Sequence, residues 1–245
     1  MKKEMAMSRQ TQLHEAFASL TEELVGDYDL ADLLHRLAEY CVSLCAAGGA
    51  GIVIVDEHGI LRDIAYSSEN VRRLETFQLT SGQGPCVECV HLGRPVVEPD
   101  LNTAGDRWPE FAREARRLGF DSVRALPLRL HGLTVGALNL FDVGRTGTDE
   151  ADLRSAQTFA NLAVIAVLQH RALEPQTVAE HITRALTARS TIERAKGILA
   201  ETAGVDMDAA FDLLREHARR RVLGLTETAR RLADGELTAE AVLAG

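Results

Sequence analysis

Apolar residues recur every three or four positions in two stretches near the start of the chain, residues 9–25 and 29–46. This period places them on one face of a helix, so both stretches are predicted to be helical. Asp29 stands where an aspartate side chain commonly caps a helix N-terminus. The apolar positions of the second stretch are Leu30, Leu33, Leu34, Leu37 and Cys41.

The pattern then changes to short apolar runs separated by turn residues. Two runs flank the sequence DEHG at residues 56–59, which predicts a hairpin. A third strand is predicted at 95–98, and two more lie within 122–143, joined near His131 and Gly132. Antiparallel strands with helices in the long connections predict an α+β domain. Those helices are predicted at about residues 69–77, 86–92 and 107–118, and from Asp149 to about Arg171.

Pro175, within EPQT at residues 174–177, interrupts the helical pattern. Proline cannot continue a helix without strain but can begin a new one, so a domain boundary is predicted there, between residues 1–173 and 174–245. Beyond it, apolar residues step by three and four along one helix face, which we call the seam. The seam residues are Val178, Ile182, Ala185, Ala188, Ile192, Ala195 and Leu199. This spacing is typical of a coiled coil, so we expect a homodimer.

Further short helices are predicted after Gly204, which ends the seam helix. Asp206 can cap the next helix and Thr226 the one after it, with Gly224 between them. Residues 235–245 allow at most one additional turn. The part of the chain after Pro175 is therefore predicted to be all-α, with three main helices.

Composition and charge narrow the function. The chain has 245 residues, 46% of them apolar, which is enough for a core, and its net charge of −9 is not that of a general nucleic-acid binder. Residues 187–231, however, carry nine Lys or Arg against seven Asp or Glu, so a basic surface is expected there. Neither a signal peptide nor an apolar run long enough to span a bilayer is recognisable, so we expect a cytoplasmic protein with no membrane partner.

Residues 186–235 carry Arg189, the run IERAKGIL at 192–199, Ala210 with Phe211, Leu214 with Arg215, and then Ala218, Leu225 and Ala229. In order and spacing, this set resembles the ANTAR domain of bacterial transcription antiterminators. The resemblance implies a three-helix domain that binds paired stem-loops in nascent RNA and prevents a terminator hairpin from forming. Arg219, one helical turn after Arg215, is added as a phosphate contact. The RNA-binding residues predicted in this way are Arg189, Arg194, Ala195, Lys196, Gly197, Arg215 and Arg219.

Gly197 is unusual because a glycine inside a helix costs about 1 kcal/mol relative to alanine. Two interpretations are open. The missing side chain allows a nucleotide to approach the backbone, with Lys196 as a point charge for phosphate. Alternatively, it only allows another helix of the bundle to pack closely, and Lys196 is solvated.

The front of the chain carries SGQGPC at 81–86, GRPVVEPDL at 93–101, DRWPEF at 106–111 and ALPLRLHGLTVGALNLF at 125–141. Over about residues 12–172 it resembles a GAF sensor domain, of the kind that precedes ANTAR domains in actinobacteria. The resemblance implies that this domain senses a signal, either a small molecule or a redox change, whose identity the sequence does not specify.

Four residues of this region are candidates for ligand or redox chemistry: Cys86, Cys89, Trp108 and Phe111. Cys86 and Cys89 form a C-x-x-C pair, which can be redox-active or bind a metal. A metal site would need more ligands, for which Cys41 and Cys45 are candidates, and we predict neither a metal nor another cofactor. The alternative is that the two cysteines are small apolar wall residues. Trp108 and Phe111 either shape a ligand pocket or belong to the core.

The sequence thus predicts a GAF–ANTAR regulator, with an antiparallel sheet and flanking helices followed by a helical RNA-binding domain. No catalytic constellation is recognisable, so we expect a non-enzymatic protein. Two alternatives stay open. One is a DNA-binding regulator that reads its site with a helix at 226–233, where Arg230 and Arg231 are available. The other is a GAF-type thiol redox enzyme with a dimerising helical tail.

Overall fold

The computed structural model describes residues 8–26, 28–56, 58–103, 107–144, 150–169 and 178–244, with side chains in the last range from residue 186 onwards. The predicted boundary at 174–177 and the predicted helix start at Asp149 lie outside these residues. The helices are α1 (Arg9–Val25), α2 (Leu30–Leu44), α3 (Glu69–Ser81), α4 (Pro85–Leu92), α5 (Pro109–Arg117), α6 (Glu150–Gln169), α7 (Val178–Ala203), α8 (Met207–Arg220), α9 (Leu225–Ala233) and α10 (Ala239–Leu243). The strands are β1 (Gly49–Val55), β2 (Leu61–Tyr66), β3 (Val96–Glu98), β4 (Ser122–Leu130) and β5 (Leu133–Asp142).

The five strands form one antiparallel sheet in the order β2-β1-β5-β4-β3. The hairpin between β4 and β5 turns at His131 and Gly132, whose φ angles are +49° and +85°. Such left-handed angles are easy for glycine and uncommon for other residues, and two in succession reverse the chain within a short hairpin. The predicted α+β fold of this region, called here the N-terminal domain, is confirmed.

Both faces of the sheet are buried, because helices cover each of them. Side chains alternate between the two faces along a strand, so neighbouring residues enter different cores. Ile52 and Ile54 share one buried cluster with residues of α1, α2 and α6, which we call the first core. Val53 points to the opposite face, where α3, α4 and α5 build the second core. The sheet therefore separates two sets of buried residues that cannot contact each other.

The C-terminal helices, α7 to α10, have a small core of their own. Four of the seven seam residues belong to it, namely Ala188, Ile192, Ala195 and Leu199. Their apolar surface is buried within a single chain, against residues such as Leu214 of α8 and Leu232 of α9. The side chains of the other three seam residues lie outside the described residues. None of the described helices has the length and apolar character that crossing a bilayer requires.

The helix N-termini show one wrong prediction. Asp29 caps α2 and Asp206 caps α8, as predicted. Thr226, however, is not the cap of α9, because α9 already begins at Leu225 and its cap position is Gly224, which makes no side-chain hydrogen bond. The backbone N–H of Thr226 instead donates to Oδ2 of Asp29 at 2.6 Å. The N-terminal domain thus supplies a carboxylate that α9 does not provide for itself.

Candidate nucleic-acid interface

The seven predicted RNA-binding residues lie in three different environments. Arg189, Lys196 and Arg215 contact the N-terminal domain. Arg194 and Arg219 are exposed and Gly197 is partly exposed, whereas Ala195 is fully buried in the core of the C-terminal helices. A direct RNA contact by the Ala195 side chain is therefore wrong for this arrangement, because its methyl group is covered by its own bundle.

Lys196 is held between the two domains. It is only 1% exposed, and its Nζ donates to the hydroxyl of Tyr66 on β2 at 2.7 Å. The same Nζ lies 3.2 Å from Oε1 of Glu193, which also accepts a hydrogen bond from Tyr66. The rings of Tyr66 and Phe211 lie 4.9 and 5.7 Å from the ammonium, close enough for cation–π attraction. The expectation of a solvated or phosphate-facing Lys196 is not met in this conformation.

The protonation states around Lys196 follow from burial and charge. Burial, and then Glu193, raise the pKa of Tyr66 far above its ordinary value, so its hydroxyl keeps the proton that it donates. Burial alone would raise the pKa of Glu193, but Lys196 and the hydrogen bond from Tyr66 outweigh it and hold that pKa below its ordinary value. Glu193 is therefore an anion beside a cation, and the buried group as a whole is neutral.

Arg215 of α8 bridges two acidic side chains of α2. Its Nε lies 3.0 Å from Oδ1 of Asp32 and its Nη1 lies 2.6 Å from Oε1 of Glu39. Burial raises the pKa of Asp32, and Arg215 opposes that rise. Burial disfavours the charged form of Arg215, but Glu39 and Asp32 outweigh it and raise the pKa of Arg215. The Arg215 guanidinium thus links the two domains through charge-assisted hydrogen bonds.

Arg189 makes the third link, an ion pair with Asp63 of β2. Burial raises the pKa of Asp63, and the Arg189 guanidinium opposes that rise. Arg72 of α3 adds a longer ion pair, with its Nε 3.9 Å from Oε2 of Glu193. The face of the C-terminal helices that carries three predicted RNA-binding cations is therefore the face that contacts the N-terminal domain.

Sequence reasoning missed the partners of these cations, although one signal was present. Asp32 and Glu39 are seven residues apart in α2, which places them on the same helix face, where Arg215 meets both. His35, between them in sequence, lies with its ring centroid 5.5 Å from that of Tyr66 and 4.7 Å from that of Phe211. Burial lowers the pKa of His35 to about 4, so this ring is neutral at pH 7.

Gly197 has open space where a side chain would be. A Cβ at this position would meet nothing within 4 Å among the described residues. Close packing of another described helix of the chain therefore does not explain the glycine. Arg194, one turn earlier, is exposed and donates to the carbonyl of Ala233 at 3.2 Å. This part of α7 is accessible to a partner that approaches from outside.

The cysteines do not form a reactive or metal-binding site in this structure. Cys86 and Cys89 on α4 are both fully buried. Burial raises the pKa of the Cys86 thiol well above its ordinary value and that of Cys89 to about 12, so both stay protonated at neutral pH. Cys41 and Cys45 lie in the first core, on the other side of the sheet, and cannot complete a site with them. Within the described residues there is no group of three or more potential metal ligands.

Trp108 and Phe111 belong to the second core. Their ring centroids are 6.3 Å apart in an edge-to-face arrangement, and both side chains are buried. The guanidinium of Arg107 covers the Trp108 ring at 4.3 Å. The structure therefore favours the core interpretation of these two aromatic residues over that of pocket walls.

The second core also holds a buried carboxyl that the sequence did not reveal. Glu75 is fully buried, and its two oxygens accept hydrogen bonds from Nδ2 of Asn139 at 2.8 Å and Nε2 of Gln78 at 2.5 Å. Burial raises the pKa of Glu75 to about 8, against the two hydrogen bonds, which lower it. This carboxyl has two amide partners, so it differs from the acids at the domain contact, which pair with arginines.

The structure weakens the alternative in which α9 reads DNA, because one of the two arginines proposed for that role is already paired with acids. Arg230, on α9, forms ion pairs with Glu227, Asp234 and Glu236. Three carboxylates around one guanidinium repel a DNA phosphate, so this helix is poorly equipped to enter a groove.

Comparison with known proteins assigns both parts of the chain. The GAF domain model matches residues 27–167, and the ANTAR domain model matches residues 180–232. A search of curated proteins gives no significant match.

Solved structures agree with the first assignment at the level of fold. The free methionine-R-sulfoxide reductase of Neisseria meningitidis is 16% identical with a TM-score of 0.52, over 70% of this chain and 97% of that one. The GAF domain of a phosphoenolpyruvate-protein phosphotransferase from Coxiella burnetii is 16% identical with a TM-score of 0.53, over 67% and 98%. GAF domains sense signals and ANTAR domains are RNA-binding antitermination modules, which together indicate a regulator. The chain therefore belongs to the GAF domain family and carries an ANTAR domain after its sensor.

Proposed function

We propose that the chain is a signal-responsive transcription antiterminator that binds paired stem-loops in nascent RNA and prevents the terminator hairpin from forming. Residues 1–173 are the sensor in this proposal and residues 174–245 the RNA-binding domain. The observation that supports it best is the position of Arg189, Lys196 and Arg215, because these cations of the ANTAR match share one face of the C-terminal helices.

The three cations and the open glycine suit RNA chemistry. Arg215 has a planar guanidinium, which can stack on an unpaired base or bind phosphate with two N–H groups, whereas Lys196 offers a point charge. Gly197 leaves the backbone of α7 accessible at the position that follows Lys196. RNA is favoured over duplex DNA because α9 carries Arg230 already surrounded by carboxylates.

The homodimer remains a prediction of the sequence and belongs to this proposal. Ala188, Ile192, Ala195 and Leu199 are buried in the chain's own bundle, so they do not face a second copy. A dimer therefore pairs through the first half of the seam, at residues 178–185, or forms after the C-terminal helices rearrange. Sedimentation of the full chain at increasing concentration tests this; a monomer at every concentration, with and without RNA, contradicts it.

The RNA proposal is tested with the full chain and RNA from its own cell. Crosslinked RNA is sequenced, and a recovered pair of stem-loops is used in equilibrium binding at several salt concentrations. Arg194→Gln and Arg219→Gln remove exposed cations that form no ion pair with the described residues of the N-terminal domain, although the charge of Arg219 lowers the pKa of Asp32. Each should weaken binding and lower the slope of log affinity against log salt by about one, because one phosphate contact is lost.

The controls are Arg62→Gln and Arg117→Gln, which change the charge equally on the N-terminal domain, where Asp56 and Glu114 are the partners. They should leave the salt slope unchanged. Equal binding by all four variants, or equal competition by duplex DNA of the same sequence, contradicts the proposal.

A further inference from the structure

Four side chains of the N-terminal domain cover the predicted RNA-binding cations. We call them the docking face: Asp32, Glu39, Asp63 and Tyr66. Asp63 pairs with Arg189, Tyr66 accepts a hydrogen bond from Lys196, and the two acids of α2 hold Arg215. Each of the three cations that lie on this side of α7 and α8 is therefore already engaged.

The contact leaves little room for a phosphate. Lys196 is 1% exposed and Arg215 is 8% exposed. A charge-assisted hydrogen bond requires the two heavy atoms to come within about 2.7–2.9 Å, so an RNA phosphate cannot reach Lys196 while Tyr66 stays in place. The docked arrangement and RNA binding through these two residues therefore exclude each other.

The docking face offers the chemistry that a phosphate backbone offers. Arg215 directs Nε and Nη1 at two separate carboxylates, as it would at two phosphate oxygens. Arg189 meets a carboxylate as well. The N-terminal domain thus places anions where the RNA would place its own.

The contact contains several charged groups, so an RNA could replace the N-terminal domain at little cost in free energy. Buried ion pairs add little net stability, because the cost of removing both charges from water offsets most of their attraction. The apolar contacts across this boundary include Ala31 of α2, which joins the core of the C-terminal helices, Leu186, which packs against the first core, and the Phe211 ring, 4.7 Å from that of His35. Replacing carboxylates by phosphates is then a nearly balanced exchange.

We propose that the docking face competes with RNA for Arg189, Lys196 and Arg215, so that the docked chain is the form that does not bind RNA. This inference rests on the proposed function and names its regulation. A signal acts by binding the docked and undocked forms with different affinity, which shifts their populations. The device needs no change within the C-terminal helices themselves.

The test compares two variants of the full chain with the same change of charge. Asp32→Asn, Glu39→Gln and Asp63→Asn together remove three charges from the docking face and leave the cations intact. Asp56→Asn, Glu88→Gln and Glu114→Gln together remove three charges from N-terminal positions that pair within that domain. The docking-face variant should bind the recovered stem-loops roughly tenfold tighter than the control variant, a typical coupling between two sites.

A second measurement follows docking without RNA. Lys196 is the one lysine after position 3, so acetylation by an amine-reactive reagent, read by mass spectrometry of its peptide, reports its exposure alone. Labelling should be slow in the parent and the control variant and fast in the docking-face variant. Circular dichroism of both variants confirms that they are folded.

The outcomes separate the two proposals. If RNA binds but the docking-face variant binds no tighter than the control, the inference is overturned and the proposed function stands. If Lys196 reacts equally fast in the parent and the docking-face variant, the inference is overturned as well. If Lys196 is protected and then released but no form binds RNA, the proposed function is wrong and the competition falls with it.

Discussion

The interior of the N-terminal domain and its contact with the C-terminal helices are both buried, but they are built from different chemistry. The first core is packed with aliphatic and aromatic side chains such as Leu33, Ile52 and Phe159. The contact contains ion pairs and hydrogen bonds, including the hydrogen bond from Lys196 to Tyr66 and the ion pairs of Arg215 with Asp32 and Glu39. Burying apolar surface is favourable at about 25 cal/mol per Å², whereas a buried ion pair is close to neutral. The first kind of packing holds a fold together, and the second allows two parts to separate.

The two regions also differ in how they treat acids. In the interior, Glu75 accepts hydrogen bonds from the amides of Gln78 and Asn139, and burial raises its pKa to about 8. At the contact, burial also raises the pKa of Asp32 and of Asp63, but an arginine opposes the rise at each. The interior carboxyl is thus protonated at neutral pH, whereas the contact acids have cations that favour their charged form.

The largest expected difference comes from replacing one residue in each region. Phe159→Ala removes a fully buried ring that lies 4.7 Å from Phe17 between centroids. It should lower the free energy of unfolding by about 3–5 kcal/mol, because it leaves a cavity. Glu39→Gln at the contact should cost less than about 1 kcal/mol, since its side chain is half exposed. Urea unfolding measures both, and equal losses would contradict the comparison.

The interior carboxyl should make stability depend on pH. The pKa of Glu75 is about 8 in the folded chain against 4.5 for an ordinary glutamate, so between these values the folded state holds a proton that the unfolded state has lost. Its contribution is complete below pH 4.5 and falls as pH rises, by about 4 kcal/mol between pH 5 and 8.

Glu75→Gln should remove this contribution from the pH dependence, as measured by unfolding of parent and variant at several pH values. Glu114→Gln, which changes an exposed carboxyl on α5, should leave it as in the parent. A profile in Glu75→Gln equal to that of the parent would show that Glu75 is not buried as a neutral acid. The comparison is with the parent because His35, whose pKa burial lowers to about 4, makes stability rise with pH below about 6.5 and partly offsets the Glu75 contribution.

Asp29 hydrogen-bonds to both regions, so its replacement should destabilise the start of α2 and the start of α9. Its Oδ1 accepts from the N–H groups of Ala31 and Asp32, and its Oδ2 accepts from that of Thr226 at the start of α9. Asp29→Ala should cost about 2 kcal/mol, because two helices lose a cap. Asp206→Ala, which uncaps α8 alone, should cost about half as much in the same urea experiment. Equal costs would show that Asp29 does not serve α9.

The smallest effect is expected on the open surface outside both regions. Gly197→Ala places a methyl group where nothing lies within 4 Å, so it should raise the free energy of unfolding by about 0.5–1 kcal/mol. Gly136→Ala is the contrasting substitution, because its Cβ would lie 2.2 Å from the carbonyl oxygen of Val53, and it should be destabilising. Weaker RNA binding by Gly197→Ala despite higher stability would support close approach of RNA to α7; loss of stability would point to a neighbour that the structure does not show.

Local patterns were a good guide to the elements and a poor one to the partners of charges. Helical periodicity predicted α2, and short apolar runs separated by turn residues predicted the β1–β2 and β4–β5 hairpins. The caps at Asp29 and Asp206 were predicted because capping acts within three residues. The cap at Thr226 was wrong because the carboxylate that serves α9 comes from a residue almost two hundred positions away in sequence. The acids that pair with Arg215 were missed for a similar reason, because they lie 183 and 176 positions away in sequence.

The sequence by itself determined the fold class, the order of the two matched domains and the apolar faces of the helices, because these depend on short-range periodicity and on motifs within single segments. Only the tertiary structure decided that Lys196 and Arg215 face the N-terminal domain and that Cys86 and Cys89 are enclosed on one side of the sheet. The physical reason is that charge pairing and burial depend on which distant segments meet in the folded chain. The local sequence around a cation therefore does not indicate which anion will pair with it.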